Sequence, residues 1–123
     1  MSEFPRTKVM LNNPDLFSTI MLAGMEPKEG TADDMDAWYR EEHIDQMYEL
    51  EPGLKRATRY NLIFSVLPGD QAPRFLTVYE FDESNKLGQD VQALDPMTPW
   101  TKKVIGNSSK IEAAIYVKIG EYS

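Results

Sequence analysis

Residues 31–53 read TADDMDAWYREEHIDQMYELEPG, and this stretch decides the fold. Thr31 stands where an N-cap belongs, with Asp33 and Asp34 in the first turn, where acidic side chains complement the positive end of a helix. The run from there to Leu50 contains neither proline nor glycine. Glu51-Pro52-Gly53 then closes it, as proline and glycine do just past a helix end. On a helical wheel Met35, Tyr39, Gln46, Met47 and Leu50 share one broad face, His43 falls in its middle, and Trp38 and Glu42 flank it. The stretch is thus an amphipathic helix with an apolar face that needs a sheet to lie on.

The flanking segments supply that sheet. On the N-terminal side, residues 16–25 (LFSTIMLAGM) form a nearly continuous apolar run bounded by turn residues, short enough to favour a strand. On the C-terminal side, residues 54–66 (LKRATRYNLIFSV) alternate in part. Strict alternation gives one face Leu54, Arg56, Thr58, Tyr60, Leu62 and Phe64, and the other Lys55, Ala57, Arg59, Asn61 and Ile63. PGDQAP (68–73) is a hairpin-type connection. Residues 74–82 (RFLTVYEFD) form a clear strand, with Phe75, Thr77, Tyr79 and Phe81 on one side. Residues 86–106 read as a second, weaker helix interrupted by Pro96 and Pro99, and residues 109–119 (SKIEAAIYVKI) as a last strand. Residues 1–15 are polar and read as an N-terminal arm; residues 16–123 form the domain. The order strand–helix–strand–strand–helix–strand is the split β-α-β, ferredoxin-like pattern of an α+β fold. Two helices cover one face of such a sheet, yet the first strand is apolar on both faces. A second copy of the sheet would bury the remaining face, which predicts a homodimer, a dimeric α+β barrel.

Composition narrows the functional classes. The chain has 123 residues, no cysteine, 13 basic and 20 acidic residues, and a net charge of −7. Disulfides, thiolate metal sites and a cysteine nucleophile are excluded, and the absence of cysteine fits a reducing cytoplasm. The basic residues are scattered, the densest being Lys55-Arg56 with Arg59 and Lys102-Lys103, so neither a nucleic-acid footprint nor an anionic membrane surface is expected as partner. No run of about 18 apolar residues exists to span a membrane. Glycine-rich phosphate loops, a serine–histidine elbow and metal-ligand spacing are also missing, so no transition-metal site is expected from the residues.

What remains is one histidine among aromatics. His43 has an ordinary pKa near neutrality and can move a proton at physiological pH. Tyr39 lies one helical turn before it, able to share its face. Tyr60 and Tyr79 on neighbouring strands could bring phenols to the same cavity, where a buried hydroxyl needs a partner that a substrate carbonyl would provide. With Tyr60 facing the helices, Arg59 alternates to the dimer side, where it pairs with a carboxylate. Glu80 or Asp45 could orient His43. Trp38 and Trp100 could wall a planar ligand. The same residues read equally well as core packing.

WYREEH (38–43), EPG (51–53) and TRY (58–60) occur in the order and spacing common in the EthD-type branch of the dimeric α+β barrels, and the chain resembles that family. The specific motifs cover 38–60; PRFLTVYEFD and PWTKK extend the likeness to about residues 16–119. The resemblance implies proteins of catabolic operons and natural-product clusters that act on aromatic or polyketide-like molecules without metal or organic cofactor. It implies decarboxylation, cyclisation with dehydration, or oxygenation: the chemistry of a lyase or a cofactor-free monooxygenase in secondary metabolism. On this reading His43, Tyr39 and Tyr60 are catalytic, and Trp38, Tyr79 and Trp100 bind substrate. The alternative is a non-catalytic small-molecule-binding or stress-response dimer on the same fold.

Overall fold

The computed structural model describes residues 18–68, 71–87 and 97–122, with the backbone of Lys8–Val9. Strands β2 (Thr19–Pro27), β3 (Leu54–Asn61), β4 (Phe75–Phe81) and β5 (Ser108–Val117) form one antiparallel four-stranded sheet in the order β3-β4-β2-β5. The helical layer comprises α1 (Ala32–Trp38), a π-turn (Tyr39–His43) and α2 (Ile44–Leu50), which run on continuously, and α3 (Pro99–Gly106). This α+β arrangement is compatible with the ferredoxin-like expectation. Of the arm over residues 1–15, only β1 (Lys8–Val9) is described, paired with β6 (Glu121–Tyr122).

The register shows which side chains meet the helices. Tyr79 stands opposite Met21 and Ala57, Thr77 opposite Ala23 and Arg59, and Phe75 opposite Met25 and Asn61. These rows face the helical layer, because directly opposed residues share a face. Two buried clusters result. Met25, Met35, Trp38, Tyr39 and Val104 form one, with Phe75 and Trp100 packed against it; Met47, Leu54, Tyr79 and Phe81 form the other. Thr77, Tyr79 and Phe81 are almost completely buried, as expected for the inner side of a central strand.

The faces of β3 are reversed from the strict alternation. Leu54 pairs with Phe81 and Arg56 with Glu80, so Lys55 is an extra residue with no place in the ladder. Such a bulge advances the phase by one and sends every later side chain to the other side. Arg59 therefore lies on the helix side and Tyr60 on the open side, the opposite of the sequence expectation. The strand also ends earlier than expected, at Asn61.

Two helix signals need correction. Thr31 occupies the N-cap position of α1 but makes no capping bond; its hydroxyl donates to the Lys28 carbonyl at 2.7 Å. The second helix was expected over 86–106 with Pro99 as an interruption. Pro99 instead opens α3, the position where proline lacks only an amide that has no partner anyway. Thr98 caps it, accepting from the Thr101 amide at 3.1 Å. Residues 82–87 are loop, and residues 88–96 lie outside the described residues. At the end of α2, Gly53 adopts φ +81°, which a side chain would strain, and its carbonyl accepts from Asp82 N at 2.9 Å.

Candidate functional site

The π-turn at Tyr39–His43 builds the site. In a helix of about 3.6 residues per turn, residues five apart point well around the cylinder. An i→i+5 turn widens the circuit and brings them nearly into line. Trp38 accordingly stacks on His43, ring centroids 4.1 Å apart and planes 13° from parallel. Tyr39 meets the same imidazole edge-on at 5.3 Å, and Trp38 and Tyr39 meet edge-to-face at 4.9 Å. The regular wheel placed Tyr39 over His43 and Trp38 at its flank; the π-turn makes Trp38 the stacking partner.

His43 is buried, with 8% of its surface exposed. Its Nδ1 lies 3.3 Å from Gln46 Oε1. Where Nδ1 carries the proton it donates to this amide oxygen, and Nε2 is left with the lone pair. Burial lowers the imidazole pKa, opposed by the Gln46 bond and by the charge of Glu42. The ring is held neutral, which is the form that accepts a proton. Neither Glu80 nor Asp45 orients it: Glu80 pairs with Arg56 across the open face, and Gln46 has taken the role.

Beneath the ring, three sheet residues meet Tyr39. Its hydroxyl lies 3.1 Å from Met25 Sδ. Burial raises its pKa, with a Thr77 bond and the Arg59 charge opposing. The Arg59 guanidinium sits 4.2 Å from the Tyr39 ring centre and pairs with Asp36 on α1. Arg59 does pair with a carboxylate, but on the helix side. Its Nε and the Tyr79 hydroxyl are buried without a hydrogen-bond partner among the described residues. Burial first, then Tyr39, pushes the Tyr79 phenol far up, with Arg59 opposing.

The structure brings His43, Tyr39 and Trp38 together, sets Tyr79 of the second cluster near Tyr39, and leaves two expected site residues apart. Tyr60 is 53% exposed on the open face and lines an apolar cleft of about 420 Å³ with residues 61–64, 72–74 and Leu76. Trp100 packs against the first core cluster and its indole donates to Asp34 at 3.3 Å. A larger charged groove of about 790 Å³ runs past Glu26, Lys28, Arg74 and Lys110, and a smaller one of about 230 Å³ past Ile20 and Tyr116. None of these three clefts is lined by His43. Sequence reasoning missed Gln46 and Arg59 as neighbours of the aromatic cluster. Gln46 carried a signal, three residues after His43 on one helix face.

Among solved structures, an ethyl tert-butyl ether (EthD) family protein from Bacillus halodurans is similar to this chain. The identity is 17% and the TM-score 0.49, with 83% of this chain and 99% of that one covered. No family model and no curated protein matches the chain. Among the described residues, no helix is long and apolar enough to cross a membrane.

Proposed function

We propose that this protein is a cofactor-independent enzyme that moves a proton on an aromatic or polyketide-like molecule, with His43 as acid–base group. The observation that carries this reading is the state of the imidazole: buried, neutral, Nδ1 tied to Gln46, and Nε2 without a partner among the described residues. A base so held accepts a proton from an acidic C–H or phenol without first losing one. The sealed, unpartnered Tyr79 hydroxyl is the group we assign to a substrate oxygen, since a buried phenol without a partner costs free energy until a ligand satisfies it. Trp38 supplies an aromatic wall. Decarboxylation, dehydrating cyclisation and oxygenation of an activated enolate all begin or end with such a proton transfer.

The reading includes a homodimer. On the open face Ile20, Leu22, Leu76 and Val78 are half-buried, Tyr60 and Tyr116 are exposed, and Leu62, Ile63, Phe64, Val66 and Leu67 continue the apolar surface. An apolar face of this kind marks an association surface, and a second sheet is its natural cover.

The test is a screen of anthrones and phenolic acids for consumption by the purified protein and by His43→Asn. Loss of turnover by about 10²-fold or more, with unfolding unchanged, supports the enzyme. Equal turnover overturns it. One observation favours a second reading, a non-catalytic binding dimer: the three clefts described above do not reach His43. That protein would bind the same compounds, leave them intact, and bind them equally well as His43→Asn.

A further inference from the structure

Glu42 adjoins His43 in sequence, but its carboxylate is engaged elsewhere. Its Oε2 accepts from the Trp38 indole at 3.1 Å, from the Thr98 hydroxyl at 2.7 Å and from the Thr101 hydroxyl at 3.2 Å. The indole N–H also reaches Thr101 Oγ1 at 3.1 Å, and Thr98 is the N-cap of α3. Thr101 is fully buried and Trp38 nearly so. One carboxylate, one indole and two hydroxyls thus close a knot between the π-turn and the start of α3. Apolar contact would be enough to pack two short helices, and burying part of a carboxylate costs desolvation. The knot does something that apolar contact would not: it fixes the rotation of the indole, and that indole is the plane on which the imidazole stacks. It also holds a negative charge beside the imidazole.

We propose that Glu42 is the positioning residue of the His43 site, locking the Trp38 plane under the imidazole while leaving the substrate untouched. The proposal rests on the acid–base reading of His43. The surroundings of the imidazole are consistent with it. On the same helix run, Tyr39 and Glu42 are the titratable neighbours and Gln46 the polar one. From the sheet, Arg59 acts on Tyr39 and on Tyr79, and Thr77 bonds Tyr39. From α3, Thr98 and Thr101 reach Glu42, and Lys103 is paired with Asp34.

His43 is the only histidine in the chain, so its Cε1–H signal in a proton NMR titration is unambiguous. Glu42→Gln keeps an acceptor oxygen in place and removes the charge. Its expected result is a folded protein that keeps the parent's ring-current displacement, with the His43 midpoint lowered because the lost charge favoured imidazolium. Glu42→Ala leaves the indole held by Thr101 alone, and the upfield ring-current displacement of the His43 signal is expected to fall by about half or more. A ring-current displacement in Glu42→Ala equal to that of the parent overturns the proposal, whatever happens to the melting temperature, and reduces Glu42 to a tie between helices. If Glu42→Ala does not fold, the same displacement read in Thr98→Ala, which removes another member of the knot, decides in its place. Failure of the underlying reading looks different: His43→Asn would then turn over substrate like the parent even where the ring-current displacement falls.

Discussion

The two faces of the sheet both carry apolar residues and behave as different surfaces. On the helix side, Thr77, Tyr79 and Phe81 are sealed, and polar groups are placed among them: His43 with Gln46, Tyr39 with Met25, Arg59 with Asp36. On the open side, Tyr60 and Tyr116 are more than half exposed and the apolar residues 62–67 continue past the sheet edge. The ionic pairs there, Arg56–Glu80 and Arg74–Glu26, involve exposed arginines and contribute little. One face carries oriented polar chemistry in a low-dielectric setting, where it is strong. The other carries apolar area without oriented polar groups, which suits association. The proposed proton chemistry and the proposed pairing therefore fall on opposite sides of one sheet, and each should be open to disturbance without the other.

The largest expected effect is on the helix side. Trp38→Ala removes a nearly fully buried indole, the stacking partner of His43 and a donor to Glu42 and Thr101. Deleting a buried tryptophan costs about 3–5 kcal/mol, and urea unfolding should show a loss in that range. A loss below about 1 kcal/mol would mean that the aromatic cluster is not the core of this face. Tyr79→Phe is next and has the opposite sign. It removes a sealed hydroxyl that has no partner among the described residues, so the free protein should gain about 1 kcal/mol while binding of a phenolic ligand weakens. A loss of stability would show that the hydroxyl is already bonded.

Most of the architecture was legible in the sequence because its signals are local. Pro52-Gly53 ended the helix, PGDQAP separated two strands, and Phe75, Thr77, Tyr79 and Phe81 alternated without error. Both misplacements have one cause, a single residue of phase. Lys55 bulges out of β3, and Arg59 and Tyr60 change sides. The π-turn adds a residue to the helical circuit, and Trp38 moves from the flank of His43 to its stacking plane. Neither insertion leaves a mark in hydrophobic periodicity: residues 54–61 alternate only in part, and WYREEH reads as regular helix. His43 and its aromatic neighbours Tyr39 and Trp38 were named from sequence, whereas the contacts among them and with Gln46 and Arg59 were not.

The pH dependence of stability sharpens the contrast between faces. Burial lowers the His43 pKa from its ordinary 6.5. Below about pH 6.5 the unfolded chain takes up a proton at this position that the folded chain still refuses. Folding therefore loses free energy as pH falls from 6.5 toward the depressed value, and this contribution is fully present above 6.5. Thermal melts of the parent and of His43→Gln across pH 7.5 to 5 should diverge, with the parent falling more steeply in that window. Parallel curves would mean that the imidazole titrates as if exposed.

The smallest expected effect on the single chain comes from the open face. Tyr116→Glu changes a half-exposed residue on edge strand β5, opposite Ile20. In an isolated chain such a surface change shifts stability by about 0.5 kcal/mol or less. Its consequence should appear in association instead, because a two-fold contact would bring each new carboxylate, added to Glu112 and Glu80 on the same face, against its own copy. Sedimentation velocity over a range of protein concentrations should find the parent paired and Tyr116→Glu shifted toward single chains, with His43 titrating alike in both. A parent that stays single throughout would leave the open face without the partner assigned to it. A His43 midpoint that moves with dissociation would show that the two faces are coupled through the sheet, with pairing setting the acid–base state on the far side.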